Sequence, residues 1–362
     1  MKVAIVTSFE TYEMRVEMIR DYFLGKGNEV EVFSTDFEHI KKQYRVNKPG
    51  YHLVHACSYK KNLSIERLHS HYVFAKDVFA AVEQFFPELI YVLLPANSLA
   101  FYAKKYKKKY PNVKIYFDIL DLWPESLPFK GLKNVFPITL WGDLRNKNLD
   151  CAEKIITECK LFEKKLSSYV KEDILQTLYF ATKKTEQNVS YCAPNNKLSL
   201  CYLGSINNII DIDVIVEIIL KSRVPVVLHI IGDGESREQF ISRAKTAGAE
   251  VFYHGKIYDD AKKADIVSKC HFGLNIMRST VCVGLTMKSV EYFKFDLPII
   301  NNIAGDTWDW VEERNVGYNY QKGEMFEVNL DDIPKQRENV KYLFEEHLWI
   351  KAFEKRINEI IT

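Results

Sequence analysis

Apolar positions in the first half of the chain alternate between two periods. Residues 3–6, 29–33, 51–56, 89–94 and 113–117 are short β-branched or aromatic runs, with residues 89–94 closed by Pro95. Between them, residues 12–24, 65–86 and 99–110 carry apolar side chains at helical spacing, and Gly25 and Gly27 supply a stop for the first of these. Strand–helix–strand alternation at this interval predicts a parallel sheet covered on both faces. Right-handed crossovers make that a Rossmann-like layer stack.

Residues 183–196 (KKTEQNVSYCAPNN) break the pattern and are expected to be an interdomain linker. The alternation then restarts. Residues 198–203, 226–231, 251–253, 272–276 and 298–301 read as strands, and 213–221, 236–247 and 289–293 as helices. The expected organisation is α/β: a Rossmann-like domain over 1–182, a second over 197–335, and a helical amphipathic segment over 336–362.

Composition changes this picture little. The 362 residues suit two domains of ordinary size, and 47% hydrophobic with 27% charged residues is globular. A formal net charge of +2 gives no field that would argue for nucleic acid. The aromatic share of 13% reads as aromatic-rich cores rather than base-stacking platforms. Seven cysteines (57, 151, 159, 192, 201, 270 and 282) include no C-x-x-C pair, so neither a disulfide framework nor a zinc site is expected. His69 and His71, two apart on a helix, cannot share a metal. The opening MKVAIVTSF lacks the apolar core and cleavage site of a signal peptide, and no stretch reaches membrane-spanning length. The expected location is the cytoplasm.

Two stretches carry candidate chemistry. In LHIIGDGESREQF a buried strand runs into Gly232-Asp233-Gly234, and a helix begins at once. Helix N-terminal amides there could meet an anion, although such a turn also serves without any ligand. It is not the dinucleotide fingerprint, because position 237 is Arg. In GLTMKSVEYFKFDLPII, Gly284, Leu285 and Thr286 read as a loop before a helix, with Lys288 and Glu291 on one face. A lysine near a helix N-terminus adds to an anion site and suits a diphosphate, and a glutamate deeper on that face could accept from vicinal ribose hydroxyls. An ordinary exposed ion pair is the alternative.

Taken together these residues resemble a known family. Strand–Gly-Asp-Gly–helix, then Tyr253-His254-Gly255-Lys256-Ile257, then Thr286-x-Lys288-x-x-Glu291-Tyr292 and a Pro-led strand are similar to glycosyltransferase family 4 and its GT-B relatives. Asp121-Leu122-Trp123-Pro124-Glu125-Ser126 looks like the D-L-W-P-E-S element of bacterial members that build capsule, exopolysaccharide or O-antigen chains. The resemblance covers nearly the whole chain. It implies two Rossmann-like domains facing across a cleft, with the C-terminal helix packing back on the first. The second domain would bind a nucleotide-diphosphate sugar, with UDP as carrier, and the first an acceptor. Glu291 would hold the ribose and Lys288 the diphosphate. Gly255, Lys256 and Ile257 would lie against the base, and Gly204, Ser205 and Arg278 would approach the phosphates. Asp121 would stand near the transferred sugar. Acceptor contacts would fall to Ser8, Thr11, Trp123 and Glu125. Retention at the anomeric carbon is implied, and neither a cofactor nor a metal.

Some positions depart from the family pattern. Relatives often carry two glutamates separated by seven residues, and here Val283 stands in the first place. Ser205 replaces a frequent arginine, and Ser8-Phe9-Glu10-Thr11 replaces a glycine-rich loop. A non-catalytic partner subunit and a nucleotide-sugar epimerase are therefore carried as alternatives. The basic run Lys104-Lys105-Tyr106-Lys107-Lys108-Lys109 reads as a solvated helix face or as a contact with anionic lipid at the inner leaflet.

Overall fold

Runs of β-branched and aromatic residues buried on both sides become the central strands of two parallel sheets. The computed structural model describes residues 1–126, 138–186, 190–194 and 196–361. The chain divides into two compact units, Met1–Leu178 and Tyr179–Thr362.

In the first unit the strands are β1 (Lys2–Thr7), β2 (Glu29–Thr35), β5 (Tyr51–Val54), β6 (Leu89–Leu94), β7 (Lys114–Ile119), β8 (Lys154–Thr157) and β9 (Leu175–Thr177). A small antiparallel hairpin of β3 (Phe37–Glu38) and β4 (Gln43–Tyr44), absent from the periodicity, follows β2. The helices are α1 (Glu13–Gly25), α2 (Ile65–Phe85), α3 (Ser98–Lys109), α4 (Ile138–Asn146) and α5 (Lys160–Leu166). The sheet order is β5-β2-β1-β6-β7-β8-β9, every pairing parallel. All six residues of β6, LIYVLL, are buried, which is why that strand shows no alternation. Ser64 caps α2 by accepting from Arg67 N. His71 faces inward on α2 and His69 outward, as their spacing requires.

One charged pair lies inside this core. Arg15 on α1 donates from Nε and an Nη to the two oxygens of Asp118 on β7, at 2.7 and 2.9 Å, and Tyr91 OH donates to the same carboxylate at 2.9 Å. Both charged side chains are fully buried. The fork geometry and the third donor satisfy the carboxylate where water cannot.

The second unit contains β10 (Leu198–Leu203), α6 (Ile212–Lys221), β11 (Val226–Ile231), α7 (Arg237–Thr246), β12 (Glu250–Gly255), α8 (Asp260–Ser268), β13 (Phe272–Asn275), α9 (Met287–Lys294), β14 (Ile299–Asn301), α10 (Asp306–Arg314) and β15 (Gly317–Asn319). Its parallel sheet runs β12-β11-β10-β13-β14-β15. Counted along the chain this is 3-2-1-4-5-6, the doubly wound order. The core joins Leu200, Tyr202, Leu228, Ile230, Phe272, Leu274 and Ile300 to apolar residues of α6 and to Phe240. α11 (Ile333–Leu343) and α12 (Ile350–Ile361) close the chain around a π turn at Phe344–Leu348. Of the expected linker, residues 187–189 and 195 lie outside the described residues. Its Cys192 N donates to Ser268 O, and just before it Thr182 pairs with Leu348 and Ile350.

Candidate functional site

Strands that wind in opposite directions from a common pair leave a crevice beyond their carboxyl ends, where α/β sheets bind ligands. In the second unit that pair is β10 and β13. They pair at Leu200–Phe272 and Cys201–Gly273, and no further pairing continues beyond. Tyr292 of α9 fills the gap. Its hydroxyl accepts from Leu203 N (2.8 Å) and lies within donating reach of Cys201 O and Leu274 O, at 3.2 and 3.3 Å. Gly273 makes the room, since a Cβ there would lie 2.5 Å from the Tyr292 ring.

This anchor sets the start of α9. Thr286 is its N-cap, accepting from Ser289 N in a capping box. Thr286 Oγ1 donates to Asn275 Oδ1 at 2.8 Å. Asn275 donates to Asn301 and Asn301 to Asn319, each at 2.9 Å, and Asn319 donates to Trp308 O at 3.1 Å. The three asparagines end β13, β14 and β15 in register, so their amides form one chain across the sheet's carboxyl edge. The loop before the helix is held from the other side: Thr307 donates from N and Oγ1 to Gly284 O, at 3.0 and 2.9 Å. Leu285 is buried beneath it.

Lys288, in the first turn of α9, reaches back over β10. Its Nζ donates to Tyr202 OH at 2.7 Å and stands 4.4 Å from that ring's centre. Its stem crosses Gly204, where a Cβ would meet Lys288 Cε at 3.1 Å. Among the described residues no carboxylate pairs with it, and burial lowers its pKa to about 7. One turn on, Glu291 pairs with Lys263 of α8, which also approaches Asp260. Lys288 thus meets Gly204 at the switch point, with Thr286 capping the start of the same helix, while Glu291 one turn on turns to Lys263 of α8.

The other expected donor residues fall around it. Ser205 is exposed after Gly204. Gly232 adopts φ +143, and a Cβ there would lie 1.9 Å from Gly204 O; one on Gly234 would lie 2.3 Å from Ile206 O. The two glycines are thus demanded by the close approach of the loops after β10 and β11. Asp233 accepts from Gly234 N and Arg237, and its pKa is lowered, first by that backbone bond. Gly255 O accepts from Gly232 N at 2.8 Å, Lys256 is exposed and Ile257 half-buried. Exposed Arg278 donates to Ile210 O at 3.3 Å.

In the first unit the D-L-W-P-E-S segment folds as a turn after β7. Asp121 accepts from Trp123 Nε1 (2.8 Å) and from Ser126 Oγ, and burial raises its pKa against these bonds. Glu125 receives two bonds from buried Arg145, at 3.1 and 2.6 Å. Asn97 and Arg145 both donate to Trp123 O. The Trp123 ring packs against Phe9 and His71, with the Arg67 guanidinium 4.3 Å from its centre. Ser8 is buried beside Phe9 and Thr11 is exposed. Residue spacing did not reveal Arg67, His71, Tyr202, Lys263 or the asparagine chain. A sequence signal for the last does exist: FGLN, IIN and GYN each end on asparagine.

No protein-family model matches the chain, and no curated protein does. Solved structures do. The apo form of the lipopolysaccharide outer core galactosyltransferase WaaB superposes with a TM-score of 0.67 at 15% identity, covering 100% of this chain and 99% of that one. Sucrose-phosphate synthase from Thermosynechococcus elongatus gives 0.71 at 11%, covering 99% and 98%. Anabaena Alr3699/HepE, solved with UDP and glucose, gives 0.65 at 12%, covering 99% and 98%. The fold is GT-B. Within that GT-B frame the crevice at β10 and β13 lies at the carboxyl ends of the second unit's strands.

Proposed function

We propose that this protein is a glycosyltransferase of the family 4 type. It moves a hexosyl group from a UDP-sugar to a glycan or lipid-diphosphate-linked acceptor, in capsule, exopolysaccharide or O-antigen synthesis, with retention. The observation that carries the reading is Lys288: a lysine without a carboxylate partner among the described residues, held over Gly204 at the switch point beside the N-terminus of α9. The charge that Lys288 carries beside a bound diphosphate, together with the helix amides at that place, stabilises the charge that develops as the diphosphate departs. A metal ion is not required for that task. That HepE was solved with UDP, and with UDP-glucose, supports the same donor class here.

Glu291 accepts from the ribose hydroxyls, trading part of its bond to Lys263 for them. Gly255, Lys256 and Ile257 face the base, and Ser205 and Arg278 approach the phosphates. Acceptor contacts fall to the first unit, around Asp121, Trp123, Ser8 and Thr11. Glu125 serves there mainly through Arg145, which fixes the turn that carries Asp121.

The test is UDP release from UDP-hexoses in the presence of lipid-diphosphate-linked glycans, without added metal, with the product's anomeric configuration read by NMR. Release that is lost in Lys288→Ala, with the α- or β-linkage of the donor kept, supports the proposal. Release unaffected by Lys288→Ala sinks the assignment of the site, and an inverted product sinks retention.

A further inference from the structure

The second unit buries a set of hydrogen-bond donors that the switch-point site does not use. His271, just before β13, is fully buried. Its Nδ1 accepts from Ser199 N at 2.9 Å, so that nitrogen carries the lone pair. Burial lowers the ring's pKa to about 4, Arg337 adding to the effect, so the imidazole is neutral and its proton sits on Nε2. That Nε2 is buried and has no partner.

Tyr191 joins it. The two rings meet edge-on with centres 6.0 Å apart, and the Tyr191 hydroxyl is also buried without a partner. The Arg337 guanidinium lies 4.8 Å from the centre of the Tyr191 ring. Arg337, on α11, spends one Nη on Val267 O (3.1 Å) and Cys270 O (3.0 Å), at the end of α8. Its Nε and other Nη are buried and unpartnered. Among the described residues it has no ion pair; Asp296 feels its charge without pairing to it. The neighbouring Gln336 donates its amide nitrogen to Asn315 Oδ1, and its Oε1 is buried without a partner.

Tyr191 touches both His271 and Arg337, and the three side chains carry buried N–H and O–H groups and one positive charge that no hydrogen bond among the described residues meets. Leaving such groups unmet is costly in a protein interior, and an uncompensated buried cation more so. A ligand that brings negative charge and accepts from every direction meets both needs. One buried positive charge calls for a single negative charge, which a monovalent ion supplies and a phosphate ester exceeds.

We propose that Tyr191, His271 and Arg337 form a buried binding site for a small monovalent inorganic anion of the size of chloride. The site ties the segment around Tyr191 to β13 and α11, independently of any donor sugar.

The test uses the full chain and chloride itself. Thermal melting is followed as chloride replaces gluconate at constant ionic strength, since a ligand that binds the native state raises Tm by mass action. Chloride-35 NMR line width is measured in parallel. Tm is expected to rise and saturate with chloride, with excess line broadening, and both responses should be lost in Tyr191→Phe, which removes only the hydroxyl. Arg337→Gln should behave likewise where it folds. Equal melting in chloride and gluconate, or a chloride response that Tyr191→Phe retains in full, overturns the proposal and leaves water as the occupant.

Discussion

Lys288 is the residue whose chemistry is most exposed to experiment. Its pKa near 7 in the free protein comes from burial, so a solution at pH 8 finds it mostly neutral. A bound diphosphate favours the charged form. Binding therefore takes up a proton above pH 7, and affinity falls as pH rises from about 7.5 to 9, where the diphosphate itself no longer titrates. Calorimetry in two buffers of different ionisation enthalpy at pH 8 should show this uptake in the native protein and not in Lys288→Met. An affinity flat across that range would remove Lys288 from contact with the diphosphate. The glycines around it are equally specific. Gly273→Ala drives a methyl into the Tyr292 ring, and Gly232→Ala drives one into Gly204 O at a φ that L side chains rarely adopt. Each should lower thermal stability by more than the roughly 1 kcal/mol of a typical substitution. A surface change such as Gly248→Ala meets no neighbouring atom and answers only to its positive φ. Comparative melting of the three variants decides this.

At the scale of elements, the start of α9 depends on groups that lie on four different segments. Asn301 both accepts from Asn275 and donates to Asn319, so Asn301→Leu strands the buried Asn275 amide and the half-buried Asn319 oxygen at once. Each unmet buried group costs about 1–3 kcal/mol. The expected result is lower stability and a raised KM for the donor, because Thr286 loses its fixed partner and the helix start loses its position. A raised KM is the part that a purely structural asparagine chain would not produce. In the first unit, Asp118→Asn takes the carboxylate charge out of the buried fork that Arg15 Nε and an Nη make with it, at a cost of about 3–5 kcal/mol measured by denaturant unfolding. Much of this level was legible. The strands 89–94, 198–203 and 226–231 fall where apolar runs placed them, because a fully buried parallel strand has no polar face to blur its limits. The hairpin at Phe37–Tyr44 and the short strand Gly317–Asn319 escaped, since two or three residues carry no period. The segment Asp121–Ser126 was legible as a motif, yet its bonds to Arg145 and Asn97 were not, because the bonded residues stand 20 and 26 positions apart.

At the scale of the whole molecule, two doubly wound units follow from repeated strand–helix alternation, and that much the chain announces. Charge placement was harder to foresee. The basic run on α3 reads as a strong positive patch, but Lys104 pairs with Asp150, Lys107 with Glu153 and Lys109 with Glu83. Lys105 lies over the Phe101 and Tyr102 rings, and Lys108 is exposed. These pairs are distant in sequence, so periodicity cannot show them. They leave a weaker field for anionic lipid, worth about 1 kcal/mol per unneutralised lysine near a charged surface. Among the described residues no helix is long and apolar enough to cross a membrane. Sedimentation with anionic vesicles should accordingly be weak and salt-sensitive, and should drop further in the Lys105→Ala, Lys108→Ala double variant; strong binding that this variant leaves intact would place lipid contact elsewhere.

The central claim is that the switch point of the second unit holds a nucleotide-diphosphate sugar through Lys288 and Glu291. The most direct measurement is calorimetric titration of the purified protein with UDP, UDP-hexoses and other nucleotide-diphosphate sugars, without metal, repeated on Lys288→Ala and Glu291→Ala. The account predicts saturable binding of one nucleotide family, weakened at least about tenfold, or 1.4 kcal/mol, in each variant. Binding that both variants retain unchanged, or a folded native protein that binds none of these compounds, would contradict it.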